Sequence, residues 1–146
     1  ESLRNNILFG LDSKKYNDDK IISVIKKFSL ESLLKRLPDG LDGNLGEEGV
    51  NLSGGEIQRI GLCRALIYDP EVLFLDEASS HLDMENEAQI NHHLKSLNMT
   101  RIIVAHRPQS IAMADKVYRL ENGNLHLCPP TEVTGSATSG KHGETL

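Results

Sequence analysis

A short glycine-containing segment, Leu52–Glu56 (LSGGE), is followed twenty residues later by the apolar run Val72–Leu75, which ends in Asp76-Glu77. Ser53 and Glu56 have the S-x-x-E spacing of a capping box, which predicts that a helix begins at Ser53. Four consecutive apolar residues are typical of a buried strand in a parallel sheet. This order predicts an α/β fold with two carboxylates at the carboxyl end of a strand, where open α/β sheets bind ligands.

The composition narrows the class of protein further. At 146 residues the chain is one domain or part of one, and it contains 38% hydrophobic and only 4% aromatic residues, which fits a Leu/Ile/Val core. The net charge of −5 disfavours general affinity for nucleic acid or anionic lipid. Cys63 and Cys128 lie far apart, so the sequence indicates neither a metal site nor a disulfide framework. No apolar run reaches the roughly 18 residues of a membrane span, and no signal peptide is visible.

Two helices are predicted before this glycine-containing segment. The first spans Asp18–Phe28, and Ser29 is expected to cap a second helix that Pro38-Asp39-Gly40 ends. The apolar positions that would face the core are Ile21, Ile22, Ile25 and Phe28 in the first helix and Leu30, Leu33, Leu34 and Leu37 in the second. The flanking segments, Leu3–Leu11 and Leu41–Asn51, are predicted to be a connector and a loop.

The segments after Ser53 alternate between helix and strand. The helix from Ser53 is expected to run to about Tyr68, and a helix capped by Asp83 would carry Ile90, Leu94 and Leu97 on one face. Arg101–Ala105 is predicted to be a second buried strand that ends at His106. Asn122-Gly123 predicts a hairpin with a type I′ turn, and the Pro/Ser/Thr/Gly-rich residues 128–146 are expected to be a disordered tail.

These residue types suit phosphate chemistry. The two glycines after Ser53 let backbone N–H groups at a helix N-terminus approach a phosphate, although an ordinary capped helix would have the same sequence. Of the adjacent acids, one could hold Mg²⁺ and the other could deprotonate a water, the alternatives being helix capping or a salt bridge. His106 could hydrogen-bond a phosphate from the same sheet edge, or it could be structural.

Together the motifs resemble the ATP-binding cassette (ABC) family. LSGGE resembles its signature, Val72–Glu77 its Walker B strand, Ser79–Asp83 its D-loop and Val104–Arg107 its H-loop. Gly46–Gly49 resembles the short loop that exporter-type domains place against their membrane partner. The resemblance covers about residues 2–127 and implies a partial P-loop NTPase-like ABC ATPase domain. A helical subdomain would occupy about 12–52, and the signature helix and core sheet would occupy 53–127. The narrower similarity is to peptidase-containing bacteriocin exporters of the colicin V type.

The resemblance also implies roles for individual residues. Asp76 would be the Mg²⁺ ligand, Glu77 the general base and His106 a contact to the γ-phosphate of ATP. The signature residues Ser53, Gly54, Gly55 and Glu56 would contact ATP held by an opposing subunit, and Asp83 would couple the two sites.

The implied assembly is an exporter at the cytoplasmic face of the inner membrane. Its partners would be a second ABC ATPase domain in a homodimer, a transmembrane domain and, for the bacteriocin type, a peptidase domain, with no nucleic acid partner.

One family motif is missing from the sequence and one is altered. No G-x-x-x-x-G-K-[ST] phosphate loop occurs in the 146 residues, so we expect the chain alone to bind ATP weakly and hydrolyse it negligibly. The strand that carries this loop would lie centrally in the family's sheet, so without it each predicted strand would lose backbone partners and apolar cover. We therefore expect the isolated chain to be unstable or oligomeric. Glu56 stands where the family often has glutamine.

Two other functions remain open at this stage. A non-transport ABC ATPase acting on DNA or ribosomes would share the signature and Walker B motifs, but the short helical region without heptads and the acidic charge disfavour it. A truncated ABC protein without catalytic activity is the other alternative.

Overall fold

The computed structural model describes residues 1–46, 51–76, 84–106, 108–112 and 114–129. The chain divides into two compact units, residues 1–103 and 104–146. The elements of the first unit are α1 (Leu3–Ile7), a 3-10 turn (Ser13–Lys15), α2 (Asp18–Lys27), α3 (Glu31–Arg36), a second 3-10 turn (Gly40–Asp42), α4 (Gly54–Leu66), β1 (Val72–Asp76), α5 (Met84–Ser96) and β2 (Thr100–Val104), which ends at the boundary. The second unit contains α6 (Pro108–Ala112), β3 (Val117–Glu121) and β4 (Asn124–Cys128).

The segment expected to be a connector begins with a helix. Ser2 caps α1 by accepting a hydrogen bond from the backbone N–H of Asn5 at 3.2 Å, and Leu3 and Ile7, one turn apart, are fully buried. The helix forms because a cap and two core contacts offset the cost of ordering one short turn. The connector interpretation of Leu3–Leu11 was therefore wrong for its first half.

Helix α2 confirms the sequence prediction. Its N-cap is Asn17, whose side chain accepts a hydrogen bond from Lys20 N at 3.0 Å, and Asp18 and Asp19 lie in the first turn, where they complement the helix dipole. Three residues of the predicted apolar face, Ile21, Ile25 and Phe28, are at most 1% exposed. The fourth, Ile22, is only partly buried, and Val24, which was not predicted, is buried in the same core.

Ser29 does not cap α3, contrary to the prediction. It has φ +53° and closes α2 instead: Ser29 N donates to Lys26 O at 3.1 Å and Leu30 N donates to Ile25 O at 3.1 Å. These two bonds form a Schellman motif, with a left-handed residue just after the helix, and Leu30 and Ile25 are both buried in the same core. Leu30 thus becomes the N-cap of α3, without a side-chain hydrogen bond. The predicted leucine stripe is confirmed, because Leu30, Leu33 and Leu37 are buried and Leu34 is partly buried.

Helix α4 forms the centre of the first unit. Ile60, Cys63 and Ile67 are buried in the same core as the apolar face of α2, and the Cys63 thiol lies 3.7 Å from Val24 O. Burial raises the pKa of Cys63 to about 12, so this thiol is a core group rather than a reactive one. The helix ends at Leu66, two residues earlier than expected.

The strands β1 and β2 are neighbours in a two-stranded sheet. Leu73 and Leu75 are buried in the same core as Ile90 and Leu94 of α5, whereas Phe74 is 72% exposed. In β2 the apolar residues Ile102, Ile103 and Val104 are all more than 40% exposed. The predicted strands are present, but the prediction that both are buried was wrong. An apolar run indicates a strand suited to cover on both faces. In the part of the chain that the structure describes, only the face of β1 that carries Leu73 and Leu75 is buried.

The second unit contains the predicted hairpin. Val117 pairs with Cys128 and Glu121 with Asn124 in an antiparallel register, which leaves Asn122 and Gly123 as a two-residue turn. Both turn residues have positive φ, +50° and +79°, as a type I′ turn requires. Residue 128, assigned to the tail, ends strand β4, and residues 130–146 lie outside the described part of the chain. No helix in the described ranges has the length and apolar character needed to cross a membrane.

Candidate functional site

The glycine-containing segment opens α4 with the predicted capping box. Ser53 has extended backbone angles, its Oγ accepts a hydrogen bond from Glu56 N at 3.2 Å, and Glu56 Oε2 accepts one from Ser53 N at 2.9 Å. The reciprocal bonds fix the direction in which the chain enters the helix. The cap is therefore formed by residues of the segment itself.

Ser53 and Gly54 are exposed, and Gly55 is partly buried. The first N–H groups of any α-helix have no partner within the helix, and α4 is 13 residues long, so it provides a full helix dipole. Gly54 and Gly55 have no side chain to obstruct an approaching group. This end of α4 can accept an anion such as phosphate.

Glu56 lies beneath this surface and is only 7% exposed. Its Oε1 accepts a 2.7 Å hydrogen bond from Arg36 Nη2 of α3, and its Oε2 also accepts one from Ser53 Oγ at 3.1 Å. Arg36 was not identified from the sequence. It lies twenty positions before Glu56, in a separate helix, so no local sequence pattern connects the two residues.

The acidic pair follows β1. Asp76 is the last residue of the strand and is exposed, on the same side of the strand as Val72 and Phe74. An exposed carboxylate at a strand end has the oxygen chemistry that Mg²⁺ prefers, and its remaining ligands can be waters or phosphate oxygens. The described residues contain no cluster of three or more His, Cys, Asp or Glu side chains that would form a protein-only metal site. Glu77 and the Ser79–Asp83 segment lie outside the described residues.

His106 is exposed and follows the end of β2 by two residues. It belongs to the second unit, and its predicted place at the sheet edge beside Asp76 stays a prediction. Arg107, predicted with it in the H-loop, lies outside the described residues, as do Glu47, Glu48 and Gly49 of the exporter-like loop.

A cavity of about 170 Å³ lies elsewhere in the first unit, between α2, the end of α4 and α5. Phe28 and His93, in edge-to-face contact with ring centroids 5.6 Å apart, are among its lining residues. Burial, with Lys27 and His92 nearby, lowers the pKa of His93. Ligand pockets for drug-sized molecules measure about 300–1,000 Å³. This cavity lies below that range and is too small for a nucleotide.

Comparison with known proteins agrees with this geometry. The family model described as "ABC transporter" matches residues 2–80. The chain is 37% identical over 147 residues to a multidrug resistance ABC transporter ATP-binding and permease protein of Lactococcus lactis subsp. cremoris, covering 99% of this chain and 23% of the relative. It is 36% identical to an ATP-dependent lipid A-core flippase of Francisella novicida, covering 100% of this chain and 22% of the relative.

A solved structure gives the same result. The structure of a bacterial Atm1-family ABC exporter with ATP bound matches with a TM-score of 0.75 and 33% identity, over 86% of this chain and 22% of the exporter chain. The chain thus spans less than a quarter of the length of these relatives. The family model covers more than half of the chain, and the matched structure has the ABC ATPase fold. The chain belongs to the ABC transporter family.

Proposed function

We propose that the chain supplies the signature and Walker B parts of the ATP-hydrolysing domain of an ABC exporter. The observation that carries this proposal is the exposed, capped N-terminus of α4, where Ser53 and Gly54 face solvent. The exposed Asp76 at the end of β1 supports it, because a carboxylate at that position suits a magnesium nucleotide.

Each site residue has one task in this proposal. The Asp76 carboxylate holds Mg²⁺, and Glu77 orients and deprotonates the attacking water. His106 contacts the γ-phosphate. Bound Mg²⁺ neutralises charge on the phosphates during transfer.

The nucleotide lies between two subunits. Ser53, Gly54 and Gly55 contact the ATP whose Walker B residues belong to the opposing domain, and Asp83 couples the two sites. The N-terminus of α4 is suited to this task because it is exposed and begins with two glycines, whose backbone a phosphate can approach.

The proposed assembly is an exporter with a transmembrane domain, located at the cytoplasmic face of the membrane. The names of the relatives refer to multidrug resistance and to a lipid A-core flippase. We therefore favour an amphipathic drug-like or lipid cargo. The bacteriocin type, with its peptide cargo and peptidase domain, stays a prediction from a few residues and has no support from these relatives.

The arrangement across two subunits can be tested with two substitutions, Gly54→Asp and Glu77→Gln, in the exporter that contains this chain. An aspartate at the helix N-terminus places a carboxylate where a phosphate must bind, and the amide introduced by Glu77→Gln cannot act as a base. If both changes are in one subunit, both composite sites are disabled, and ATPase activity should fall by about a hundredfold or more. If the changes are in opposite subunits, one complete site remains and about half of the activity should be retained.

Gly61→Asp is the matched control. Gly61 is exposed in the middle of α4, and a β-carbon added there would have no neighbouring atom within 4 Å, so the substitution adds the same charge to the same helix away from the site. Exporters with this change should keep nearly full activity. The opposite pattern would be activity that is retained when both changes share a subunit and lost when they are in opposite subunits. That result would show that each site is built within one subunit, and it would contradict the proposal.

A further inference from the structure

Three side chains form a connected network beneath the N-terminus of α4: Ser53, Glu56 and Arg36. Glu56 accepts hydrogen bonds from Ser53 Oγ at 3.1 Å and from Arg36 Nη2 at 2.7 Å. Glu56 is buried, whereas the Arg36 side chain is 51% exposed. The network joins α3 to the residues proposed to contact phosphate.

The hydroxyl of Ser53 has a single hydrogen, which it donates in a hydrogen bond to the carboxylate of Glu56. A carboxylate can only accept, so Ser53 Oγ donates to Glu56 Oε2 while it accepts from Glu56 N. To donate to a phosphate instead, the hydroxyl must give up a bond to a charged acceptor, and such bonds are about twice as strong as bonds between neutral groups. Glu56 therefore competes with phosphate for the Ser53 hydrogen.

The charge of Glu56 acts in the same direction. A buried carboxylate beside a phosphate site repels the phosphate, and screening by solvent is weak for buried groups. Arg36 offsets this repulsion because its guanidinium lies against Glu56 Oε1. The affinity of the site for phosphate therefore depends on both members of the ion pair: Glu56 lowers it and Arg36 raises it.

We propose that Glu56 and Arg36 are positioning residues that set the affinity of the signature segment for the phosphates of ATP. Glu56 lowers the affinity by holding the Ser53 hydroxyl and by its charge, and Arg36 raises it by neutralising Glu56. This inference rests on the proposed function, in which Ser53, Gly54 and Gly55 contact nucleotide.

The test is a titration of the 146-residue chain with MgATP, followed by NMR through the backbone amide shifts of Gly54 and Gly55. Glu56→Gln keeps the shape and an acceptor oxygen but removes the charge, and it should lower the dissociation constant about three- to tenfold, the range of one hydrogen bond. Arg36→Ala should raise the dissociation constant by a similar factor, about three- to tenfold. Arg36→Lys, which keeps the positive charge, should restore most of the affinity.

Two control variants change the same charges away from the network. Lys35→Ala removes a positive charge from the neighbouring position of α3, and Glu71→Gln removes a negative charge before β1, both at exposed residues. Each control should change the dissociation constant less than Glu56→Gln or Arg36→Ala does, because exposed charges are screened by salt. A purely structural role would make Glu56→Gln and Arg36→Ala both weaken binding, since both loosen the helix start.

The possible outcomes separate the two proposals. Opposite changes for Glu56→Gln and Arg36→Ala support the inference. Changes of the same sign, or none beyond those of the controls, would overturn it and leave the proposed nucleotide contact standing. If the Gly54 and Gly55 amides of the unsubstituted chain do not shift at about 20 mM MgATP, the inference is overturned, because the signature segment then has no affinity of its own for Glu56 and Arg36 to set. The proposed nucleotide contact between subunits is tested separately, by placing Gly54→Asp and Glu77→Gln in the same subunit or in opposite subunits.

Discussion

Replacing Glu77, the proposed general base, with Gln in the proposed exporter is expected to lower ATP turnover by roughly 10²–10⁴, the usual contribution of such a base. The amide keeps the size of the side chain and can still hydrogen-bond a water, but it cannot take a proton from it. ATP binding should persist because the phosphate contacts and the Asp76 ligand are unchanged. The measurement is steady-state phosphate release beside nucleotide affinity in the same preparation.

Glu71→Gln is the control for this prediction. Glu71 is an exposed residue before the start of β1, whereas Glu77 directly follows its last residue, so the pair compares the same chemical change at the two ends of one strand. Glu71→Gln should leave turnover within about twofold of the unsubstituted protein, as expected for an exposed residue away from the site. Turnover that persists in the Glu77→Gln protein would mean that another group is the base.

The second large effect concerns stability. Phe28 is 1% exposed at the end of α2 and packs edge-to-face against His93. Phe28→Ala should lower the free energy of unfolding of the chain by about 3–5 kcal/mol, the usual range for removing a buried phenylalanine. A domain has only about 5–15 kcal/mol of stability, so this variant should be mostly unfolded under mild denaturing conditions. Urea unfolding followed by circular dichroism measures the change.

Phe74→Ala is the matched control, because Phe74 is 72% exposed in β1. Its effect on unfolding should be within about 0.5 kcal/mol. It should also reduce self-association, since the uncovered apolar residues of β1 and β2 favour aggregation of the isolated chain. Light scattering should therefore detect oligomers of the unsubstituted chain and fewer in this variant. Equal destabilisation by both substitutions would contradict this description of the core. A clean monomer with a sharp cooperative melt before any substitution would contradict the expected self-association.

Local patterns in the sequence predicted much of the fold. The capping box at Ser53, the apolar face of α2 and the Asn122-Gly123 turn were all visible because each depends on residues a few positions apart. The helix over Leu3–Ile7 was missed because a five-residue helix is stabilised by its tertiary contacts rather than by its own sequence. Ser29 was misassigned because a serine between two helices can cap the second or close the first. Burial of Leu30, whose N–H donates to Ile25 O, favours closing the first.

Local sequence patterns also predicted where several residues of the candidate site lie in the fold. Ser53, Gly54 and Asp76 are exposed at a helix start and a strand end, where short motifs placed them. Arg36 was not predictable, since its bond to Glu56 is set by how α3 packs near the start of α4. The exposure of β2 was also not predicted. An apolar run indicates that a strand is suited to burial, but it does not indicate whether other residues of the described chain cover it.

The most direct test of this account is a calorimetric titration of the 146-residue chain with MgATP. The dissociation constant should be no tighter than about 1 mM, because backbone amides and a lysine of a phosphate loop supply most of the cradle for ATP and the sequence contains no such loop. The chain would then hold the signature and the catalytic acids of a site completed by other segments. Binding in the micromolar range would contradict it, since the chain would be forming a complete nucleotide site from its own residues.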